Sequence, residues 1–276
     1  MYVEPADAPK RKPVTVPGLR AMKARGEKIV VLTCYDASFA VQMETAGIDV
    51  ALVGDSLGNV VQGQASTLPV TLDQMVYHSS LVARGLAATL LVADLPFMQY
   101  RDPATALASA ARLMAGGGAA MVKLEGGSDW ACDVIAALTS RDVPVCAHLG
   151  LTPQSVHKLG GYRMQGKTED AAARLRAEAV AVAQAGAELL VLESVPAALA
   201  GMITRELSIP TIGIGAGAEC DGQVLVSYDM LGITPGRRPK FSKDFLAGRG
   251  SVRDAFAAYA DDVRAGRFPG PEQISG

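Results

Sequence analysis

The chain has 276 residues, with 28 acidic against 26 basic side chains and a net charge of −2, so it offers no basic field to draw nucleic acid and no tail of one sign. Its mean hydropathy of +0.21 comes largely from alanine in helical stretches, and no run approaches the ~18 apolar residues of a membrane span, which leaves small metabolites as the expected partners. The four cysteines, Cys34, Cys132, Cys146 and Cys220, are scattered without a Cys-x-x-Cys pair, which excludes a spelled-out zinc knuckle or redox pair and fits a reducing, cytoplasmic compartment.

Residues 1–18 carry Pro5, Pro9, Pro13 and Pro17 among charges of both signs, lack the apolar core of a signal peptide, and read as a flexible arm. Residues 19–276 read as one domain with a repeated βα rhythm. Strand-like apolar runs start near Ile29, Val50, Thr89, Ala120, Val145, Leu189 and Thr211, with helical periodicity or helix-start signals between them. Thr71 with Gln74 forms a capping box for a helix over 75–84, and Asp102 with Pro103 supplies a cap and a first-turn proline for one over 104–115. The longest helix is predicted over 168–185, stopped by Gly186. An eighth strand is expected within 223–233. A basic loop, 237–243, and a final amphipathic helix, 251–264, follow, and the helix packs on the barrel or on another subunit. Right-handed crossovers between such strands build either an open doubly wound sheet or an eight-stranded barrel, and a barrel of roughly 250 residues fits the length.

Four of the runs lead to an acid: 50–53 to Asp55, 90–93 to Asp94, 120–124 to Glu125 and 189–192 to Glu193. In a parallel sheet these ends lie on one face, and their recurrence along the chain favours a (β/α)8 TIM barrel, because an open sheet concentrates its site at one switch point. Lys123 and Glu125 are two apart on one strand, so both face the interior. Two like charges about 4 Å apart repel by roughly 4 kcal/mol at an effective dielectric of ~20, and a bound cation relieves that. Oxygen donors without cysteine or paired histidine favour a hard ion, Mg²⁺ first and Mn²⁺ second. Asp55 or Asp94 alone reads equally well as a helix N-cap, but capping does not account for four like ends or for the inward lysine.

His148 ends a strand on the same rim and reads as a pocket residue, whereas His78 and His157 fall on helix or loop and take no role. Gly54, Gly126 and Gly127 suit a tight turn or the close approach of a ligand. Gly213, Gly215 and Gly217 lack the G-x-G-x-x-G spacing and read as pocket floor rather than a dinucleotide site. Phe97 and Met98 read as core or pocket wall. A hard metal, a lysine and a separate carboxylate, Glu193, suit a 2-oxo acid. The metal chelates its ketone and carboxylate oxygens and stabilises an enolate, while the carboxylate takes the adjacent proton. What the enolate attacks stays open on these grounds; a carbon–carbon lyase or mutase, or a metal-dependent binding protein on the same barrel, shares these features.

The stretches LVGDSLG at 52–58, VADLPF at 92–97, VKLEGG at 122–127, AHLGLTPQSV at 147–156 and IGIGAG at 212–217 with DGQ at 221–223 together resemble the ketopantoate hydroxymethyltransferase family, over about residues 19–269. The resemblance implies a barrel of the phosphoenolpyruvate/pyruvate type. It also implies transfer of a one-carbon unit from 5,10-methylenetetrahydrofolate to 3-methyl-2-oxobutanoate, giving 2-dehydropantoate in pantothenate biosynthesis. By the same resemblance Asp55, Asp94 and Glu125 match a magnesium site, Asp55, Ser56, Asp94, Lys123 and His148 bind the oxo acid, and Glu193 is the general base. The implied state is a cytoplasmic homo-oligomer, a decamer, with neither nucleic acid nor membrane as a partner. Ser194 departs from the pattern where many relatives have Cys or Met, His157 where Asn is common, and Gln273 where a histidine is usual near the chain end.

Overall fold

The computed structural model describes residues 11–234 and 238–274. Strands β1 (Ile29–Thr33), β2 (Val50–Val53), β3 (Leu90–Asp94), β4 (Met121–Glu125), β5 (Val145–Gly150), β6 (Leu189–Glu193), β7 (Thr211–Ile214) and β8 (Gly222–Leu225) pair in parallel in sequence order and close into a barrel, β8 against β1. Alternation sorts their side chains: Val30 and Leu32 join the layer beneath the helices, whereas Ile29 and Val31 fill the interior. Burial on both faces is why the runs read as continuously apolar.

Around the sheet lie α1 (Val16–Ala24), α2 (Ala37–Thr45), α3 (Leu57–Val60), α4 (Leu72–Ala83), α5 (Pro103–Ala111), α6 (Asp129–Thr139), α7 (Val156–Leu159), α8 (Glu169–Gln184), α9 (Ala197–Glu206), α10 (Ser227–Met230) and α11 (Val252–Arg264). The expected caps form, with the Thr71–Gln74 box opening α4 and Asp102 accepting from the Thr105 N–H at α5, and Thr168 adds a further one by accepting from the Ala171 N–H at α8. The helix predicted over 104–115 is α-helical only to Ala111, and Arg112–Gly116 widens into a single π turn. Helix α11 packs on its own barrel, with Phe256 and Tyr259 fully buried and the Tyr259 hydroxyl shared between the Val31 and Gln223 carbonyls at 3.1 and 2.9 Å.

Two expectations move. The eighth strand starts at Gly222, one residue before the expected window, and Met230 and Leu231 belong to α10 and its end. A Cβ at Gly222 would lie 2.2 Å from the Ile29 carbonyl oxygen, so the barrel closes here only on a glycine, the residue that makes a run look least like a strand. Of the arm expected over residues 1–18, residues 1–10 lie outside the described ones, and the described residues 11–18 are packed on the barrel. Arg11 pairs with Glu44 and Asp49, Thr15 caps α1, and Leu19 is fully buried among the interior residues of the barrel. Apolar Val14, Val16, Leu19 and Met22 supply the driving force, because they cover the otherwise open bottom of the barrel.

Glu44, at the end of α2, accepts the N–H groups of Ala87, Ala88 and Thr89 at 3.0 to 3.1 Å. Burial pushes its carboxyl up, but the three N–H donors outweigh burial and hold its pKa below the ordinary value. A carboxylate with a depressed folded pKa stabilises above the unfolded value of ~4.3 and loses that contribution as pH falls through the folded value. Glu44→Gln is therefore expected to lower unfolding free energy at pH 7 by about 1–3 kcal/mol. The deficit should shrink towards pH 3, as read by denaturant midpoints at both pH values; an equal deficit at both would remove the charge from the argument.

Candidate active site

The C-terminal ends of the strands bring every predicted site residue to one cavity of about 860 Å³. Asp94 ends β3, Lys123 and Glu125 lie on β4, His148 on β5 and Glu193 at the end of β6, while Asp55 and Ser56 sit in the turn between β2 and α3. Strand register does the assembly: Asp94 lies opposite Lys123, and Glu125 opposite His148. Asp55, Asp94, Lys123, Glu125 and His148 are each no more than 4% exposed, whereas the Glu193 side chain is 14% exposed.

Lys123 Nζ lies 2.6 Å from Asp94 Oδ1, and Asp94 Oδ2 accepts the Asp55 N–H at 3.0 Å. Burial works against the Lys123 charge, but Asp94, Glu125 and Asp55 together outweigh it and raise the lysine above its ordinary value. Asp55 is pushed well above the usual carboxylate range, first by burial and then by repulsion from Asp94 and Glu125, only partly offset by Lys123. Three buried carboxylates thus share one lysine. That surplus of oxygen donors and negative charge fits a hard divalent cation. Among the described residues, however, no group of three or more His, Cys, Asp or Glu side chains stands as a ready metal site. Asp55, Asp94 and Glu125 are brought together but turned to neighbours: Asp94 to Lys123, and both Asp55 Oδ2 and Glu125 Oε2 to Gln154, at 2.8 and 3.0 Å.

His148 stands between Glu125, with Nδ1 to Oε1 3.5 Å, and Glu193, with Nε2 to Oε2 3.3 Å. Neither nitrogen reaches hydrogen-bond geometry, so these are ionic contacts. Burial and Lys123 lower the imidazole pKa, yet the two carboxylates outweigh them and hold it at about 9. The base candidate is fixed through its backbone. The Glu193 carbonyl accepts from the Leu151 N–H at 2.8 Å, the Ser194 N–H donates to the Ile214 carbonyl at 2.8 Å, and Ser194 takes a left-handed φ of 48°. A non-glycine residue held there is strained, and such strain concentrates at functional sites. Gly150 permits the approach, since a Cβ would lie 2.2 Å from the Glu193 carbonyl oxygen.

Ser56 Oγ lies 2.9 Å from the Tyr35 hydroxyl, and the Tyr35 carbonyl accepts from His78 Nδ1 at 2.8 Å, which gives His78 a structural task. His157 is exposed, and Gln273 caps its own terminal turn by accepting from the Gly270 N–H at 3.0 Å. Gly54 and Gly215 line the cavity. Gly127 instead makes room for Leu149 and Glu178, which is the turn role. Phe97 and Met98 are neither core nor pocket wall. They are 42% and 49% exposed, because the turn after Pro96, with Met98 at φ 65°, sends Leu95 and Tyr100 inward in their place. Sequence reasoning missed Gln154, Tyr100 and Tyr35, and also the outer wall of Tyr162, Met164, Lys167, Lys240 and Phe241. Only Gln154 lay within a quoted motif.

Residues 13–271 match the family model described as ketopantoate hydroxymethyltransferase. A 3-methyl-2-oxobutanoate hydroxymethyltransferase of Burkholderia thailandensis is 60% identical over 262 residues, 95% of this chain and 96% of that one. Among solved structures, the phosphoenolpyruvate phosphomutase of Streptomyces platensis subsp. rosaceus superposes with a TM-score of 0.61 at 16% identity, covering 79% of this chain and 83% of that one. A phosphonopyruvate hydrolase in complex with oxalate and Mg²⁺ gives 0.59 at 13% identity, covering 90% and 95%. These two likenesses show the fold, a parallel (β/α)8 TIM barrel. No helix among the described residues is long and apolar enough to cross a membrane.

Proposed function

Because this chain belongs to the ketopantoate hydroxymethyltransferase family, and is thus a hydroxymethyl-transferring enzyme of pantothenate biosynthesis, we propose that its one-carbon donor is 5,10-methylenetetrahydrofolate. The acceptor is 3-methyl-2-oxobutanoate, and the products are 2-dehydropantoate and tetrahydrofolate. The observation that carries this reading is the division of the acids: three buried carboxylates share Lys123, while Glu193 stands more open, across His148. Asp55, Asp94 and Glu125 would hold the divalent cation, Mg²⁺ or Mn²⁺. When bound, that cation would polarise the ketone and stabilise the negative charge that builds on its oxygen.

This chain's own groups do the rest. Lys123 offsets the carboxylate of the oxo acid, and Ser56, set by Tyr35, orients it with Asp55 and Asp94. Glu193 takes the C3 proton onto its carboxylate, and the C3 carbon forms its bond to the methylene carbon of the donor as one of the two C–N bonds to that carbon breaks; water then displaces the remaining folate nitrogen, leaving its oxygen as the product's hydroxyl and its proton on tetrahydrofolate. His148, cationic between Glu125 and Glu193, keeps the two carboxylates apart and lines the acceptor pocket. The cavity of about 860 Å³ exceeds what a small oxo acid fills and lies in the upper part of the range that larger ligands occupy. Its outer wall pairs the rings of Tyr162 and Phe241 with Lys167 and Lys240, chemistry suited to a flat heterocycle with an anionic tail. We also place the enzyme in the cytoplasm as a homo-oligomer, a decamer; Tyr77 and Trp130, 60% and 48% exposed on the single chain, are surfaces suited to contact between copies.

Incubation with 3-methyl-2-oxobutanoate, methylenetetrahydrofolate and Mg²⁺ is expected to yield a product heavier than the oxo acid by CH₂O, a hydroxymethyl group in place of the C3 hydrogen, as read by mass spectrometry. No mass gain would overturn the reading. Cleavage of an oxo acid without folate would favour a lyase on the same barrel.

A further inference from the structure

We propose that Gln154 is a positioning residue that holds the Asp55 carboxylate in its ligating orientation, and that Tyr100 acts through Gln154 by fixing the direction of its amide. This rests on the reading above that Asp55 ligates the divalent cation.

Gln154 lies in the turn Pro153–Ser155 that follows β5, and it is only 6% exposed. Its Nε2 donates to Asp55 Oδ2 at 2.8 Å and to the Leu95 carbonyl at 3.1 Å, while its Oε1 accepts from the Tyr100 hydroxyl at 2.6 Å. The direction of the amide follows from its partners. The Leu95 carbonyl only accepts, so the NH₂ end must face it, and the second N–H of that end is the one that reaches Asp55 Oδ2. Oε1, the amide oxygen, can only accept, so the Tyr100 hydroxyl is the donor of that bond. With phenylalanine at 100, Oε1 would be buried without a donor, and the amide would be drawn off Asp55 to find one.

The two carboxylates that Gln154 touches are held by different parts of it. Glu125 Oε2 accepts from the Gln154 backbone N–H at 3.0 Å, a bond that every side-chain variant keeps. Asp55 depends on the side chain: among the described residues, Nε2 of Gln154 is the hydrogen-bond donor to its carboxylate. Asp55 also sits in a turn rather than on a strand, so the barrel backbone alone does not orient it. Partners of ligating carboxylates commonly change metal affinity or activity by about 10–100-fold when removed. Here removal would release one prospective ligand and leave the others in place. Trp130, the one tryptophan of the chain, stacks on Tyr100 with centroids 5.9 Å apart and planes at 23°, so its emission reports whether Tyr100 has stayed in place.

The test measures Mn²⁺ binding by electron paramagnetic resonance or calorimetry, on the full chain, for wild type, Gln154→Met, Tyr100→Phe and the double variant. Gln154→Met should weaken Mn²⁺ binding about 10–100-fold, Tyr100→Phe should weaken it less, and the double variant should bind no more weakly than Gln154→Met, because the two act in series. Turnover at saturating Mn²⁺ should return towards the wild-type kcat, since Gln154 is not assigned to the substrate. Unchanged affinity in Gln154→Met, or losses that add in the double variant, would overturn the proposal. If Gln154→Met fails to fold, as judged by Trp130 emission, Gln154→Asn, whose shorter amide cannot span Asp55 and Tyr100 together, takes its place. A wild-type chain that binds no Mn²⁺ would overturn the reading of the metal site and this proposal with it, which separates the two failures.

Discussion

Glu193→Gln is expected to exchange the C3 proton of 3-methyl-2-oxobutanoate at least about 10²-fold more slowly than the wild type, the scale of a lost general base. Its affinity for Mg²⁺ should stay within a few-fold. The substitution is isosteric, and what holds Glu193 in place is backbone: its carbonyl accepts from Leu151, and Ser194 is tied to Ile214. The variant therefore keeps the geometry while losing the carboxylate proposed to accept the proton. The buried acids are poor alternatives, because Asp94 is engaged by Lys123 and Asp55 by Gln154. Deuterium uptake from D₂O, followed by NMR with metal present and folate absent, isolates this step from one-carbon transfer. Exchange at the wild-type rate would remove Glu193 from the base role, and a parallel collapse of Mg²⁺ binding would make it a ligand instead.

Much of this architecture is legible in the sequence because barrel strands are buried on both faces and end where function begins. An apolar run closed by an acid states both facts at once, and the starts at Ile29, Val50, Val145, Leu189 and Thr211 coincide with the strands that form. Gly222 hid the start of β8, since the feature that lets β8 lie against β1 is the absence of a side chain. Phe97 and Met98 misled for the opposite reason: apolar residues after a strand suggest a wall, but a left-handed turn at Met98 exposes them and hands the inward place to Tyr100. Charge surplus at the site was readable from spacing, whereas its distribution was not. Asp94 meets Lys123 through the register of β3 on β4, which needs the strand pairing to be known, and Asp55 and Glu125 both turn to Gln154 because the turns after β2 and β5 come together. A glutamine beside a proline carries no periodic signal; the clue available was physical, that clustered carboxylates need neutral donors as well as a cation.

The same surplus sets the effect expected of Lys123→Met. Lys123 is 4% exposed and is the lysine among Asp55, Asp94 and Glu125, with its ammonium 2.6 Å from Asp94. Removing one partner of a buried ion pair strands the other, at a typical cost of about 3–5 kcal/mol, and here two further carboxylates lie close by. The metal-free variant should unfold at markedly lower temperature than the metal-free wild type. Divalent cation should then stabilise the variant more than the wild type, because the ion becomes the counter-charge that the lysine supplied, and a ligand that binds only the folded state raises its stability by mass action. The KM for the oxo acid should also rise, since its carboxylate loses the same cation. Thermal unfolding with EDTA and with millimolar Mg²⁺, for both proteins, reads all of this except the KM. Equal metal-free stability would mean that Lys123 is not the internal counter-charge. Equal stabilisation of the two proteins by Mg²⁺ would place the ion away from Asp55, Asp94 and Glu125. Lysine and metal would then act on separate charges, and the division between the buried carboxylates and Glu193 would need another cause.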